Sequence, residues 1–477
     1  MKIKQFFFLI FLIEILIQTI APIYLNILDN KLELRTQSTT NYQFIWDDYN
    51  GALGDLQGDD ILTYGASFGP FHNYEEITEK LYQANLSFSE IINIFSIGKT
   101  YFGREIYCAR VTDEQYQNKK TEMLVVAQHH AREQITVENA LYFLDTLING
   151  YQNSDPRILK VLKHKEIYII PSLNIDGAKI IHKFPWQRKT ARPIDADGDG
   201  IGDEYNGTDH VIEPSDVNGD GYIDAYFRSE TGYLWSYDSF EGVDLDQDGL
   251  IGEDSIGGVD PNRNYDLGFG NPYSSTSDPN GEAYRGPHPF SENSTARLRD
   301  FIYENDFRIA VSLHSGIQEI YCPVNVSENP KNDLDTDLYS EVASELTEIT
   351  GFKHIYLDNR YNAGHWVNWM YWKGEENIVL AFNIEVYGDP DGMVEEEIEP
   401  GLVKDRGVWD FFNPPANEVI SNCELICEAL IFLTDLPYFD EKSSIVGFPF
   451  RFFFLIFVAM TYLALLNKRR LLNIRDD

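Results

Sequence analysis

Two histidines and a glutamate, His129, His130 and Glu133, follow directly on the apolar run Met123 to Ala127. That run reads as a buried strand. An imidazole and a carboxylate three residues apart at a strand end can grip one divalent ion from a single turn, and zinc accepts that mixture of N and O ligands. A lone H-x-x-E also fits a surface ion pair with Arg132, so it needs company. A third histidine, His314, ends a second apolar run, Phe307 to Leu313, and completes a three-ligand set. A carboxylate, Glu385, ends a third run, Ile378 to Ile384. A charge at the end of a buried strand is costly unless it has a task.

The elements that must position these residues alternate along the chain. After the metal motif, Thr136 to Leu147 takes up a helical period, with Val137, Leu141, Leu144 and Ile148 on one face. Earlier, Tyr74 to Leu81 reads as a helix, and residues 96–107 as a hairpin. Later, Glu166 to Pro171 reads as a strand, Ser294 to Tyr303 and Asp337 to Ile349 as helices, and Asn417 to Leu433 as the last helix. Strands and helices alternating from Tyr101 to Leu433 predict an α/β domain.

The chain has 477 residues, 43% of them hydrophobic, enough to bury a sizeable core. Its 76 acidic residues against 38 basic ones give a formal net charge of −38. That argues against nucleic acid as a partner, since phosphate binding requires a basic face. Four cysteines, Cys108, Cys322, Cys423 and Cys427, do not make a disulfide framework for a chain of this length. Cys423 and Cys427 sit four apart in a helical pattern, as core thiols do.

The acid is concentrated. Asp195-x-Asp197-x-Asp199-Gly200, Asp216-x-Asn218-x-Asp220-Gly221 and Asp244-x-Asp246-x-Asp248-Gly249 lie within one stretch, 194–258. Alternating carboxylates closed by glycine let a loop wrap oxygens around a hard cation. The glutamate expected at the twelfth position is absent, so these are half-motifs resembling dockerin or thrombospondin calcium loops. Threefold repetition predicts two or more structural calcium ions. Glu395 to Lys404 is a second acidic insertion.

The ends carry a different signal. Residues 1–25 read as a signal peptide or N-terminal anchor, and 26–70 as a linker or short pro-segment. Residues 438–444 read as a linker. The apolar stretch 445–466 is long enough to cross a bilayer if Arg451 snorkels, and the basic tail 467–477 marks the cytoplasmic side. The expected location is therefore the cell membrane with the main domain, 71–437, outside, or secretion if the tail is removed.

Several runs, taken in order, resemble the zinc metallocarboxypeptidases of the carboxypeptidase A/B/T type. His130-Ala131-Arg132-Glu133 is similar to the family's first zinc motif and selects His130 over His129. Ser96 to Thr100 and Gly103-Arg104-Glu105-Ile106 are similar to its opening "S-I-G-K-S…G-R-x-I" run. Asn174-Ile175-Asp176-Gly177 resembles its "N-P-D-G", and Trp186 to Arg192 its "W-R-K-T-R". Val259-Asp260-Pro261-Asn262-Arg263-Asn264 resembles "V-D-x-N-R-N". Tyr361-Asn362-Ala363-Gly364 resembles its mobile tyrosine loop, and Val367 to Tyr371 its "x-D-W-x-Y".

The resemblance implies a mixed, mostly eight-stranded twisted sheet between helices. It implies one catalytic zinc on His130, Glu133 and His314, with Asp176 orienting His130 through its other ring nitrogen. Glu385 is the implied proton carrier. Arg192 is the implied oxyanion arginine, with Arg188 as the alternative within the same run. Arg132, Asn262, Arg263 and Tyr361 are the implied substrate residues, and Asn262 with Arg263 would hold a free C-terminal carboxylate. Val367 matches the floor of the specificity pocket and carries no charge. Removal of apolar or aromatic C-terminal residues, leucine or phenylalanine before lysine, is the resulting expectation, with peptide and protein C-termini as partners and a monomer as the state. The alternatives are a non-catalytic, calcium-stabilised adhesion protein on a degenerate peptidase fold and a cell-wall peptide amidase of the same fold.

Overall fold

Aliphatic residues run almost unbroken through Met123 to Val126, Phe307 to Leu313 and Leu380 to Ile384. Runs of this kind suit strands covered on both faces. The computed structural model describes residues 70–181, 187–192, 258–279, 281–323, 333–373, 379–388 and 411–436. It also gives the backbone of 225–228, 239–240, 396–399 and 402–404. The compact unit holding these elements begins at Phe71.

Its strands are β1 (Ile92–Lys99), β2 (Glu105–Val111), β3 (Thr121–Val126), β4 (Lys165–Ile170), β5 (Ala225–Arg228), β6 (Ser239–Phe240), β7 (Phe307–His314), β8 (Ile317–Cys322), β9 (Lys353–Tyr356), β10 (Leu380–Tyr387), β11 (Glu396–Glu399) and β12 (Leu402–Lys404). Eight of them form one mixed sheet in the order β1-β2-β4-β3-β7-β10-β8-β9. The α/β expectation and the eight-stranded mixed sheet both hold. The remaining four pair as β11-β12-β5-β6, with Leu402 opposite Arg228 and Ala225 opposite Phe240. Segments read from sequence as two separate acidic insertions thus share one small sheet.

The longer helices are α1 (Tyr74–Ser87), α2 (Ile135–Gln152), α3 (Pro156–His164), α4 (Asn293–Tyr303), α5 (Asp333–Thr350), α6 (Trp366–Lys373) and α7 (Ala416–Asp435). α1 starts at a reciprocal cap, in which Asn73 accepts from the Glu76 amide and Glu76 from the Asn73 amide. α2 packs on β4 and β10, α7 on α2, and α6 on β7 and β10. All four cysteines are free and buried.

The topology sets where chemistry can occur. β3, β7 and β10 are adjacent and mutually parallel, so their C-terminal ends open on one edge. Register places His314 opposite Glu385 and Ser312 opposite Val126. Ligands in sheets of this kind bind outside the carboxyl ends of the strands.

The loops 195–199, 216–220 and 244–248 expected to bind calcium lie outside the described residues. So do the N-terminal segment, the linker and the apolar stretch 445–466. Among the described residues, no helix is long and apolar enough to cross a membrane.

Candidate active site

The turn after β3 is held by buried polar contacts. Gln128 adopts φ 56°, a conformation uncommon for a residue with a side chain. Its own side chain fixes the turn, accepting from Ser172 Oγ at 2.5 Å and donating to the Ala131 carbonyl at 3.1 Å. Asn413 closes the other side, accepting from the Ile135 amide at 2.9 Å and donating to the Arg132 carbonyl at 2.9 Å. α2 has no side-chain cap of its own, so Asn413 supplies one from far along the chain.

This turn and the end of β7 bring His130, Glu133 and His314 together, with one ligand atom from each within 4.8 Å of the others and all three side chains buried. His130 Nδ1 lies 2.6 Å from Glu133 Oε1, and His314 Nδ1 lies 3.1 Å from Glu133 Oε2. The two Nδ1 atoms face each other across 3.2 Å. Two imidazole lone pairs aimed at one point, with a carboxylate completing the set, form the donor arrangement of a zinc site that keeps one position open.

Polar side chains stand beside the second ring nitrogens. His314 Nε2 meets Ser312 Oγ at 3.1 Å. His130 Nε2 lies 3.3 Å from Asp260 Oδ1. Burial pushes the Asp260 pKa up, but Arg188, Arg263 and His130 outweigh it and hold the carboxyl well below its usual range. Burial also pushes His314 down to about 4, against the pull of Glu133, so its ring stays neutral. A neutral imidazole is the form that binds metal.

His129 stands behind the cluster. It meets Tyr265 OH at 3.0 Å and Ser312 Oγ at 2.8 Å, and its ring stacks on His314 with centroids 5.3 Å apart. It backs the site without joining the donor set.

Two sequence expectations change here. Asp176 does not reach His130; it accepts from Thr100 Oγ1 at 2.9 Å, the Phe102 amide at 3.1 Å and Arg104 at 2.6 Å. Those contacts tie the β1–β2 connection to the turn Ile175–Ala178, and Asp260 stands beside His130 instead. Asp260 was visible in sequence, two residues before Asn262, yet carried no assigned role. Arg192 points away from the cluster, donating to the Ser291 carbonyl at 3.0 Å and lying 3.4 Å from Glu292. Arg188 takes the place beside the cluster, with Nε donating to Asp260 Oδ2 at 2.8 Å. Burial works against the Arg188 charge, but Asp260 and then Glu133 raise its pKa above the ordinary value.

The other expected residues are distributed around this centre. Glu385 sits opposite His314 in register. Burial, and then the like charge of Glu133, raise its pKa well above the usual carboxyl value. Asn262 Oδ1 accepts from the Trp366 amide at 2.8 Å, which turns its Nδ2 toward His314. Arg263 donates to the Ser274 carbonyl at 2.5 Å and to the Asn262 carbonyl at 2.9 Å, and burial lowers its pKa to about 10. Arg132 is paired with Glu282 at 2.8 Å and lies over the Phe412 ring at 4.2 Å. Tyr361 ends a 3₁₀ turn and is 44% exposed, and Val367 is fully buried in α6.

Comparison with known proteins agrees with this geometry. A family profile described as zinc carboxypeptidase matches residues 77–428. Carboxypeptidase A1 of Rattus norvegicus is 24% identical over 403 residues, covering 82% of this chain and 76% of the relative. Carboxypeptidase A1 of Sus scrofa is 25% identical over 354 residues, covering 72% and 69%. Among solved structures, thrombin-activatable fibrinolysis inhibitor superposes with a TM-score of 0.53 at 19% identity, covering 81% of this chain and 79% of that one. The bovine form in complex with tick carboxypeptidase inhibitor gives 0.51 at 18% identity, covering 76% and 96%. The family match spans well over half the chain and includes all three cluster residues, so this protein belongs to the zinc carboxypeptidase family and is a zinc metallocarboxypeptidase.

Proposed function

We propose that the protein hydrolyses the last peptide bond of peptides that end in a free carboxylate, releasing an apolar or aromatic residue in preference to a basic one. The observation that carries this reading is the convergence of His130, Glu133 and His314 beside Glu385, Arg188 and the Asn262–Arg263 pair. His130, Glu133 and His314 would hold the zinc, whose chemistry there would be to lower the pKa of water and polarise a carbonyl. Glu385, with its raised pKa, takes a proton from the attacking water and passes it to the leaving amine. Arg188, fixed by Asp260, offers its free N–H groups to the oxyanion. Arg263 and Asn262 receive the terminal carboxylate, for which a guanidinium fork is suited. Val367, buried and uncharged, supports the preference against lysine and arginine.

The acidic loops and the terminal segments support a setting outside the cell, with calcium ordering 194–258 and the stretch 445–466 anchoring a monomer in the membrane. The test is digestion of a peptide library by the full chain, with and without chelator, read by mass spectrometry. Loss of single C-terminal residues, abolished by chelation and restored by zinc, is expected. Internal cleavage, or cleavage of C-terminally amidated peptides at the same rate, contradicts the reading.

A further inference from the structure

Arg263 and Tyr361, two of the residues assigned to the substrate's end, lie far apart in sequence and on separate turns. One loop touches both turns. Residues 267–274 run alongside residues 360–364 and bond to every second one. The Gly364 amide donates to the Leu267 carbonyl at 2.9 Å. The Asn362 carbonyl accepts from Asn271 Nδ2 at 3.0 Å. The Arg360 carbonyl accepts from Ser274 Oγ at 2.8 Å. Approach between the two segments is close. Gly268 adopts φ 68°, and a Cβ there would stand 2.2 Å from the Asn362 carbonyl oxygen.

Ser274 differs from the other two rungs because it bonds in both directions. Its hydroxyl holds Arg360, the residue before Tyr361, and its carbonyl accepts from Arg263 Nε at 2.5 Å. Arg263 Nη1 donates to the Asn262 carbonyl at 2.9 Å. Among the described residues, Nη2 meets no acceptor. Backbone oxygens thus fix the plane of the guanidinium and leave N–H groups at its end for a carboxylate.

The turn that carries Tyr361 is otherwise closed on itself and on α6. Asp358 Oδ1 accepts from the Arg360 amide at 2.8 Å, and the Asp358 carboxylate pairs with the Arg360 side chain. The Asp358 carbonyl accepts from the Tyr361 amide at 2.9 Å, and Asn368 Nδ2 of α6 donates to the Tyr361 carbonyl at 3.0 Å. Those contacts shape the turn. The Ser274 hydroxyl ties it to the residue that holds Arg263.

We propose that Ser274 is a positioning residue for the peptidase reaction, setting Arg263 and Tyr361 in a fixed relation so that a free C-terminal carboxylate is met from both sides at once. Groups held in place before binding cost less to order when substrate arrives. Removing the hydroxyl keeps the bond from Arg263 to the Ser274 carbonyl and releases the Tyr361 turn, so capture of substrate weakens while the chemistry at the cluster does not. The inference rests on the carboxypeptidase reading and adds a residue to it.

Two measurements on the full-length, zinc-loaded protein test it. The first needs no substrate. Arg360 is exposed, so brief trypsin treatment read by mass spectrometry reports how often its turn opens. Cutting after Arg360 should be about fivefold faster in Ser274→Ala than in wild type, while cutting after Lys119, in an exposed loop, stays the same. Ser274→Thr, which keeps a hydroxyl, should behave as wild type. The second is steady-state kinetics on benzoyl-glycyl-phenylalanine. Ser274→Ala should raise KM about fivefold with kcat within about twofold, and Ser274→Thr should restore KM. On a Tyr361→Ala background, Ser274→Ala should shift KM by less than about twofold, because the effect runs through Tyr361. An unchanged rate at Arg360, an equal rise at Lys119, an unchanged KM, or the full KM shift with Tyr361 removed overturns the assignment. A wild type that hydrolyses no such peptide overturns the carboxypeptidase reading and the kinetic role with it. Normal hydrolysis without the trypsin and KM differences overturns the Ser274 assignment alone.

Discussion

Two buried imidazole–carboxylate contacts flank the start of α2, and they behave differently. At one, His72 Nδ1 meets Glu138 Oε2 at 2.7 Å, while the His72 amide donates to Glu138 Oε1 at 2.6 Å. Burial opposes charge on the His72 ring, but Glu138 outweighs it and raises the pKa above 6.5. Each partner supplies what the other lacks, so the pair is closed. At the other, Glu133 is shared between two histidines whose Nδ1 atoms face each other. Two lone pairs and a carboxylate aimed at one point favour a cation. Residue type is the same at both places; what differs is whether donors and acceptors balance. A closed pair holds the fold, and an acceptor-rich one holds a metal.

The largest effect should come from the group that moves protons. Glu385→Gln keeps shape and loses the base, so kcat should fall by about 10²–10⁴-fold with zinc content unchanged. Activity within tenfold of wild type, from steady-state kinetics on a free-carboxylate peptide, would remove Glu385 from the chemistry.

The next effect belongs to the closed pair. His72→Ala leaves Glu138 buried without its partner, which should cost about 3–5 kcal/mol in urea unfolding at saturating zinc. Because the folded-state pKa of His72 lies above 6.5, the pair's contribution is complete below pH 6.5 and is lost as pH rises through the raised value. The stability gap between wild type and variant should narrow over that window. A gap that widens with rising pH would mean the pair is not charged as argued. Zinc stoichiometry should not change in this variant.

A smaller effect separates two arginines four residues apart. Arg188→Ala should lower kcat by about 10²–10³-fold, the range measured for loss of one oxyanion donor. Arg192→Ala, at a side chain engaged with Ser291 and Glu292, should leave kcat within a few fold. The reverse ranking would restore Arg192 to the site.

Much of this was legible in the sequence for one physical reason. His314 and Glu385 end apolar runs, and parallel strands buried on both faces deliver their C-terminal residues to one edge. The zinc set and the central sheet follow from that pattern. What escaped depends on which side chain reaches which partner. Arg188 and Arg192 occupy one short motif, and spacing alone does not tell which guanidinium meets Asp260. Asp176 and Asp260 are both carboxylates beside recognisable motifs, but Thr100 and Arg104 claim the first. Asn413, which pins the turn at Arg132 and Ile135, lies far along the chain with no local signal. Asn383 reads as one polar residue in an apolar strand, and its unpaired oxygen shows only when the neighbours are in place.

The most direct measurement is zinc per chain after dialysis against metal-free buffer, by atomic emission, for wild type, His314→Ala and His72→Ala. The account predicts one zinc in wild type and in His72→Ala, and little in His314→Ala. Full occupancy in His314→Ala, or loss of zinc in His72→Ala while the chain stays folded, would contradict it.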